Sequence, residues 1–134
     1  MPLNNPSYIA GEDLAPARFV LRSTAADNTV LYADDGAAYL AGITFNGTRE
    51  APIPSVSTAL AAAEGEPIRV HGLGDRCEVV LGETITAANL LLTASTDGVA
   101  VAASAGDFVG AVAERAAASG EKVWCQVVAF ELDS

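Results

Sequence analysis

Gly11-Glu12-Asp13-Leu14-Ala15-Pro16-Ala17-Arg18-Phe19-Val20-Leu21 is answered later in the chain by Gly82-Glu83-Thr84-Ile85-Thr86-Ala87-Ala88-Asn89-Leu90-Leu91-Leu92. The echo continues in order. Leu40-Ala41-Gly42 matches Phe108-Val109-Gly110, and Ala61-Ala62-Ala63-Glu64-Gly65-Glu66-Pro67-Ile68-Arg69-Val70 matches Ala116-Ala117-Ala118-Ser119-Gly120-Glu121-Lys122-Val123-Trp124-Cys125. Similarity sustained in the same order marks an internal repeat, two copies of one supersecondary unit that bury a face against each other. The copies cover about 9–72 and 77–130.

Outward from these motifs, apolar runs of strand length alternate with turn residues. Residues 18–21 and 29–32 are rich in β-formers and flank the polar stretch Ser23-Thr24-Ala25-Ala26-Asp27-Asn28, a hairpin signal. Asp34-Asp35-Gly36 turns the chain into residues 38–45, and Asn46-Gly47 ends that strand because this dipeptide favours positive φ. The second half gives strands at 68–71, 77–81, 89–93, 98–102, 108–112 and 123–130. Residues 59–63 allow at most a short helix between the preceding prolines and Gly65. Residues 111–118 are ambiguous, since Ala favours helix but follows an apolar strand signal. Short runs at close spacing predict an all-β fold, a small β-barrel or sandwich, as one domain or two half-domains sharing a core, with little helix.

Residues 1–8 read as an extended N-terminal arm, for Pro2, Pro6, Asn4 and Asn5 give neither period nor apolar density; 9–134 form the β domain. The copies differ at one place. Between matched glycines the first spans Gly42 to Gly65 and the second only Gly110 to Gly120, so the first carries an insertion with Arg49, Glu50, Pro52 and Pro54. Insertions map to surface loops, where contact residues sit on a rigid frame.

Half of the 134 residues are apolar, but aromatics are only 6%, which suits thin β layers better than a roomy pocket. A formal charge of −10 argues against nucleic acid as a partner, since seven scattered basic residues cannot neutralise a run of phosphates. No apolar run reaches the roughly 18 residues of a membrane span, and no leader pattern opens the chain, so synthesis in a reducing cytoplasm is expected. Cys77 and Cys125 stand outside any CxxC or Cys/His spacing, and two buried thiols are expected, with no metal and no cofactor.

A Ser-His-Asp or Cys-His constellation would have to run through His71, the one histidine. A Cys77/His71 pair could serve as nucleophile and base if the imidazole reached the thiol; otherwise His71 ends a strand and Cys77 is structural. The carboxylate pairs Glu12/Asp13, Asp34/Asp35 and Glu64/Glu66 lie in turns, where such groups are ordinarily solvated or cap backbone. Gly72-Leu73-Gly74 lacks the third glycine and following helix of a dinucleotide site. Alternation places Val123, Cys125 and Val127 on one face and Trp124 on the other, either covered by the other repeat or exposed at an interface. No enzymatic activity is expected.

The second half, Gly-Glu-x-Ile-x-x-x-x-Leu-Leu followed by Asp107-Phe108-Val109-Gly110-Ala111-Val112-Ala113 and then Ala-Ala-Ser-Gly-Glu-Lys-Val, resembles the capsid decoration, or cement, proteins of tailed bacteriophages. The pattern runs from Cys77 to Val128, with a degenerate version through Gly11, Gly42 and Gly65. The resemblance implies a β-barrel-like or β-tulip-like domain that trimerises on the outside of an icosahedral head and clamps neighbouring major capsid subunits, without enzymatic activity or cofactor. It points to a structural virion protein on the outer capsid surface, with the major capsid protein and its own copies as partners and no role for nucleic acid or membrane. The arm and the loop 46–58 are the expected contact elements, with Leu3, Tyr8, Ile9, Arg49 and Ile53 as contact residues. The alternative is a small-ligand or carbohydrate-binding β module, with Tyr8, Tyr32, Tyr39 and Trp124 as its stacking groups.

Overall fold

The computed structural model describes residues 7–23, 28–33, 40–45, 62, 64–87 and 90–132. The described residues are almost all β, as predicted. They form strands β1 (Ser7–Ala10), β2 (Phe19–Arg22), β3 (Thr29–Tyr32), β4 (Gly42–Thr44), β5 (Pro67–His71), β6 (Arg76–Val80), β7 (Leu91–Ala94), β8 (Ala100–Ala102), β9 (Phe108–Ala113) and β10 (Lys122–Glu131), with one 3₁₀ turn at Thr96–Gly98.

The first five strands close into a barrel in the order β1-β3-β2-β4-β5. Closure rests on β1, which pairs in parallel with β3 through Ile9↔Thr29 and Ala10↔Val30 and antiparallel with β5 through Ser7↔Arg69 to Ile9↔Pro67. The other five form a sheet in the order β6-β10-β9-β7-β8.

The second sheet repeats the pairing of the first. Val20↔Tyr32 and Arg22↔Val30 have counterparts in Leu92↔Ala102 and Ala94↔Ala100, and Phe19↔Ile43 in Leu91↔Val112. The isolated bridges Leu14↔Ala62 and Ile85↔Ala117 correspond too. The closing contact differs, since β6 meets β8 through the single parallel bridge Leu81↔Ala100.

The pairing also explains the duplicated Gly-Glu. A Cβ on Gly11 would lie 2.6 Å from the Leu31 side chain and 2.8 Å from that of Thr29; one on Gly82 would lie 2.5 Å from Val99. A side chain at either glycine would therefore have to push the facing Leu31, Thr29 or Val99 side chain aside. The Glu12 carboxylate then accepts the Tyr32 N–H at 2.9 Å, and the Glu83 carboxylate accepts the Ala102 N–H at 2.8 Å. One residue on, Asp13 accepts the Glu64 N–H and Thr84 accepts the Ser119 N–H, at 2.9 and 3.1 Å.

Two apolar clusters fill the structure. Ala10, Leu14, Val20, Val30, Ala62, Ile68 and Val70 fill the barrel. The larger cluster combines Cys77, Val79, Leu81, Leu92, Ala111, Val123 and Cys125 of the second half with Phe19, Ala33 and Ile43 of the first. Successive strand side chains point to opposite faces, so Val20 enters the barrel while Phe19 leaves it to bury itself in the other half. Phe19 is 0% exposed, a burial that contributes roughly 2–3 kcal/mol. Gly110 makes room for it, because a Cβ there would lie 2.6 Å from the Phe19 ring. Two hydrogen bonds add to this seam: Val80 N–H to the Ala17 carbonyl at 2.9 Å, and the Arg18 guanidinium to the Asp97 carbonyl at 3.0 Å.

Several expectations shift. The predicted arm, 1–8, ends in strand, for Ser7 and Tyr8 belong to β1 and residues 1–6 lie outside the described set. Register pairs Gly42 with Val20 and Ala111 with Leu92, so the match of Gly42 to Gly110 is out by one residue. Gly110 is glycine for the Phe19 ring instead. The ambiguous 111–118 resolves as strand through Ala113, with Ala117 in a bridge. Ala62, inside the possible helix at 59–63, bridges Leu14, and its neighbours 59–61 and 63 lie outside the described residues, as does the loop 46–58.

Candidate functional site

Among the described residues no pocket forms, and no cluster of His, Cys, Asp and Glu is arranged to hold a metal ion. Apart from the buried Cys77 and Cys125, the chemistry-bearing side chains lie on the outer faces and at the turns.

β10 sets up the most structured of these faces. Its burial alternates from Lys122 to Val127, with Val123, Cys125 and Val127 inward and Lys122, Trp124 and Gln126 outward. Trp124 is 42% exposed, which settles its two predicted fates in favour of exposure. Register sets Glu78 opposite Trp124 and Arg76 opposite Gln126, so Arg76 is a diagonal neighbour of the indole on the same face. Its guanidinium lies over the ring, 4.5 Å from the centroid. Glu114, just past β9, receives that guanidinium through two hydrogen bonds of 2.7 and 2.9 Å. Each partner favours the other's charge: the hydrogen bond from Arg76 holds the Glu114 carboxyl below its ordinary value, and that to Glu114 holds the Arg76 guanidinium above its own. Both side chains are exposed, so the pair acts by fixing geometry. Sequence reasoning singled out Trp124 but missed Arg76 and Glu114, since only the strand register brings residues 38 positions apart together.

His71 and Cys77 do not form a common site. His71 ends β5 and stacks on Phe45, with ring centroids 4.2 Å apart and planes 15° from parallel. Its Nδ1 is 3.7 Å from Asp75, whose carboxylate also accepts the Gly72 N–H at 2.9 Å. Burial pushes the imidazole below its usual value against the opposing pull of Asp75. Cys77 points into the second core and faces Cys125 across the β6–β10 ladder.

Of the predicted contact residues, Leu3, Arg49 and Ile53 lie outside the described residues, as does Tyr39 of the predicted stacking groups. Tyr8 is half-buried against the barrel core, and Ile9, 41% exposed, points outward from the same strand. Tyr32 is partly buried against that core, and its hydroxyl accepts the Ala15 N–H at 2.7 Å. Glu12 and Asp13 cap backbone N–H groups.

The fold thus defines a class: a duplicated all-β scaffold that presents functional groups on rigid sheet faces. Among solved structures, one with this fold is the head fiber gp8.5 N base of bacteriophage phi29. The two share 17% identity over 97% of this chain and 98% of that one, with a TM-score of 0.64. No family model and no curated protein matches the sequence.

Proposed function

We propose that the chain is a structural virion protein of a tailed bacteriophage, made in the host cytoplasm and carried on the outside of the head. There it forms a homotrimer that braces the lattice of the major capsid protein. The observation that carries this reading is the whole-chain likeness in fold to the phi29 head fiber base, joined to the resemblance of residues 77–128 to the cement proteins. Rigid sheets with capped turns suit a bracing role, because a repeated modest contact gains strength when many copies engage one shell. An N-terminal arm of this kind would add a strand to a neighbouring sheet through main-chain hydrogen bonds. Leu3, Tyr8, Ile9, Arg49 and Ile53 would contact the capsid.

The test is sedimentation of purified chain with heads that lack it, together with its mass by light scattering. Co-sedimentation and a mass near three times 13.6 kDa are expected. A chain that stays in the supernatant at saturating concentration overturns the head-binding reading, and a monomer overturns the trimer. Deleting residues 1–6 should leave the melting temperature unchanged and abolish co-sedimentation; undiminished binding removes the arm from the interface.

A further inference from the structure

Cys77 and Cys125 are free thiols, both buried in one cluster, at 3% and 0% exposure. They are directly opposed in the antiparallel ladder of β6 and β10. The Val127 N–H bonds to the Asp75 carbonyl and the Leu81 N–H to the Glu121 carbonyl, each at 2.9 Å. By alternation from either end, Cys77 and Cys125 form a hydrogen-bonded pair, whose Cα atoms are ordinarily about 5.5 Å apart. That Cα separation lies within the range a disulfide spans, while the Cβ atoms of such a pair, about 5.5 Å apart, must approach by about 1 Å, so closure draws β6 and β10 together locally.

The placement is specific to the second half. The strand matching β6 in the first half is β1, which ladders with both β3 and β5, whereas β6 ends its sheet and ladders with β10 alone, apart from the bridge at Leu81. The position matching Cys125 is Val70, since Thr44↔Val70 corresponds to Ala113↔Cys125. The cysteine pair thus sits where one more tie would act on the less securely closed half.

We propose that Cys77 and Cys125 are a modification site, forming an intrachain disulfide that fastens β6 to β10 when the chain meets an oxidising medium. The oxidant is a small soluble disulfide. One cysteine loses its proton and attacks, releasing a first small thiolate and leaving a mixed disulfide; the second cysteine then loses its proton and attacks the protein sulfur, releasing the other. Two cysteine thiols are oxidised, one small disulfide is reduced, and the two protons end on the two released thiols. Hydrogen bonding to Cys77 and burial push the Cys125 thiol far above its ordinary value, so thiolate is scarce and exchange waits on opening of β6.

The test is incubation of the full chain with oxidised glutathione in sub-denaturing urea, followed by alkylation and mass spectrometry. The expected product is a monomer lighter by two hydrogens and unalkylated. Its melting temperature should exceed that of the reduced chain by on the order of 10 °C, and a dithiol reductant should reverse both changes. Cys77→Ser and Cys125→Ala should each lack the product, with their folding checked separately by circular dichroism. Glutathione adducts in place of the internal bond, a disulfide-linked dimer, two thiols still alkylated, or an internal bond that lowers the melting temperature each overturn the proposal.

Discussion

Ala17 carries a left-handed backbone, φ 58°, while fully buried. Its N–H bonds to the Thr44 carbonyl and its own carbonyl takes the Val80 N–H, so the conformation is held from both halves of the molecule. An L-residue pays roughly 1–2 kcal/mol for that region, and glycine avoids it at some cost in unfolded-state entropy. Ala17→Gly should therefore be neutral or stabilising by up to about 1 kcal/mol in urea unfolding, whereas Ala17→Val should destabilise by more than 1 kcal/mol. A clear loss of stability in the glycine variant would show that the strain does not exist. His71 offers a second test at this scale. Its folded-state value is depressed, so the unfolded chain binds the proton more readily. Its contribution is intact above the unfolded value near 6.5 and declines as pH falls from there towards the folded one. In His71→Phe, which can keep a ring against Phe45, the loss of stability between pH 7 and pH 5 should be smaller than in the parent chain. An equal loss would assign that pH dependence to the carboxylates.

The Gly-Glu segments act as identical clamps, each placing a carboxylate on a backbone N–H of the third strand of its half. Glu12→Ala and Glu83→Ala should each cost about 1–2 kcal/mol in chemical denaturation, with Gln substitutions costing less because the amide oxygen still accepts. Since the clamps serve different sheets, the double variant should be additive within about 0.5 kcal/mol; strong coupling would mean that the halves share this contact. The repeat itself was visible because such clamps need particular residues, a glycine for close passage and an acceptor beside it. Thr29–Tyr32 was read at its observed ends, and β5, β6 and β10 to within a residue, because β-rich runs there are bounded by turn residues. β1 escaped because its four residues show no alternation of their own and its partner β5 lies some 60 positions away. The Arg76–Trp124–Glu114 face escaped for the same reason: it exists only through strand register.

At the scale of the molecule, Phe19 is the largest of the first-half side chains, with Ala33 and Ile43, that enter the core of the second half. Phe19→Ala should cost about 3–5 kcal/mol, and it should separate the unfolding of the halves. Fluorescence of Trp124, which reports the second half, would then melt at a different urea concentration from the circular dichroism of the whole chain. Coincident transitions in the variant would place the coupling elsewhere in the seam, in Ile43, Ala33 and the Val80–Ala17 hydrogen bond. The pairing order also bears on synthesis. β1 waits for β5, so the first barrel cannot close on the ribosome until His71 has cleared the exit tunnel. The second half then waits for β10, the last of the described strands and the one on which β6 depends. Through that interval a finished barrel displays Phe19 and Ile43 without the Val123, Cys125 and Val127 part of their cluster. A translational pause before Lys122 thus leaves the nascent chain sticky at a defined patch, where a chaperone or a neighbouring nascent chain on the same messenger can take hold.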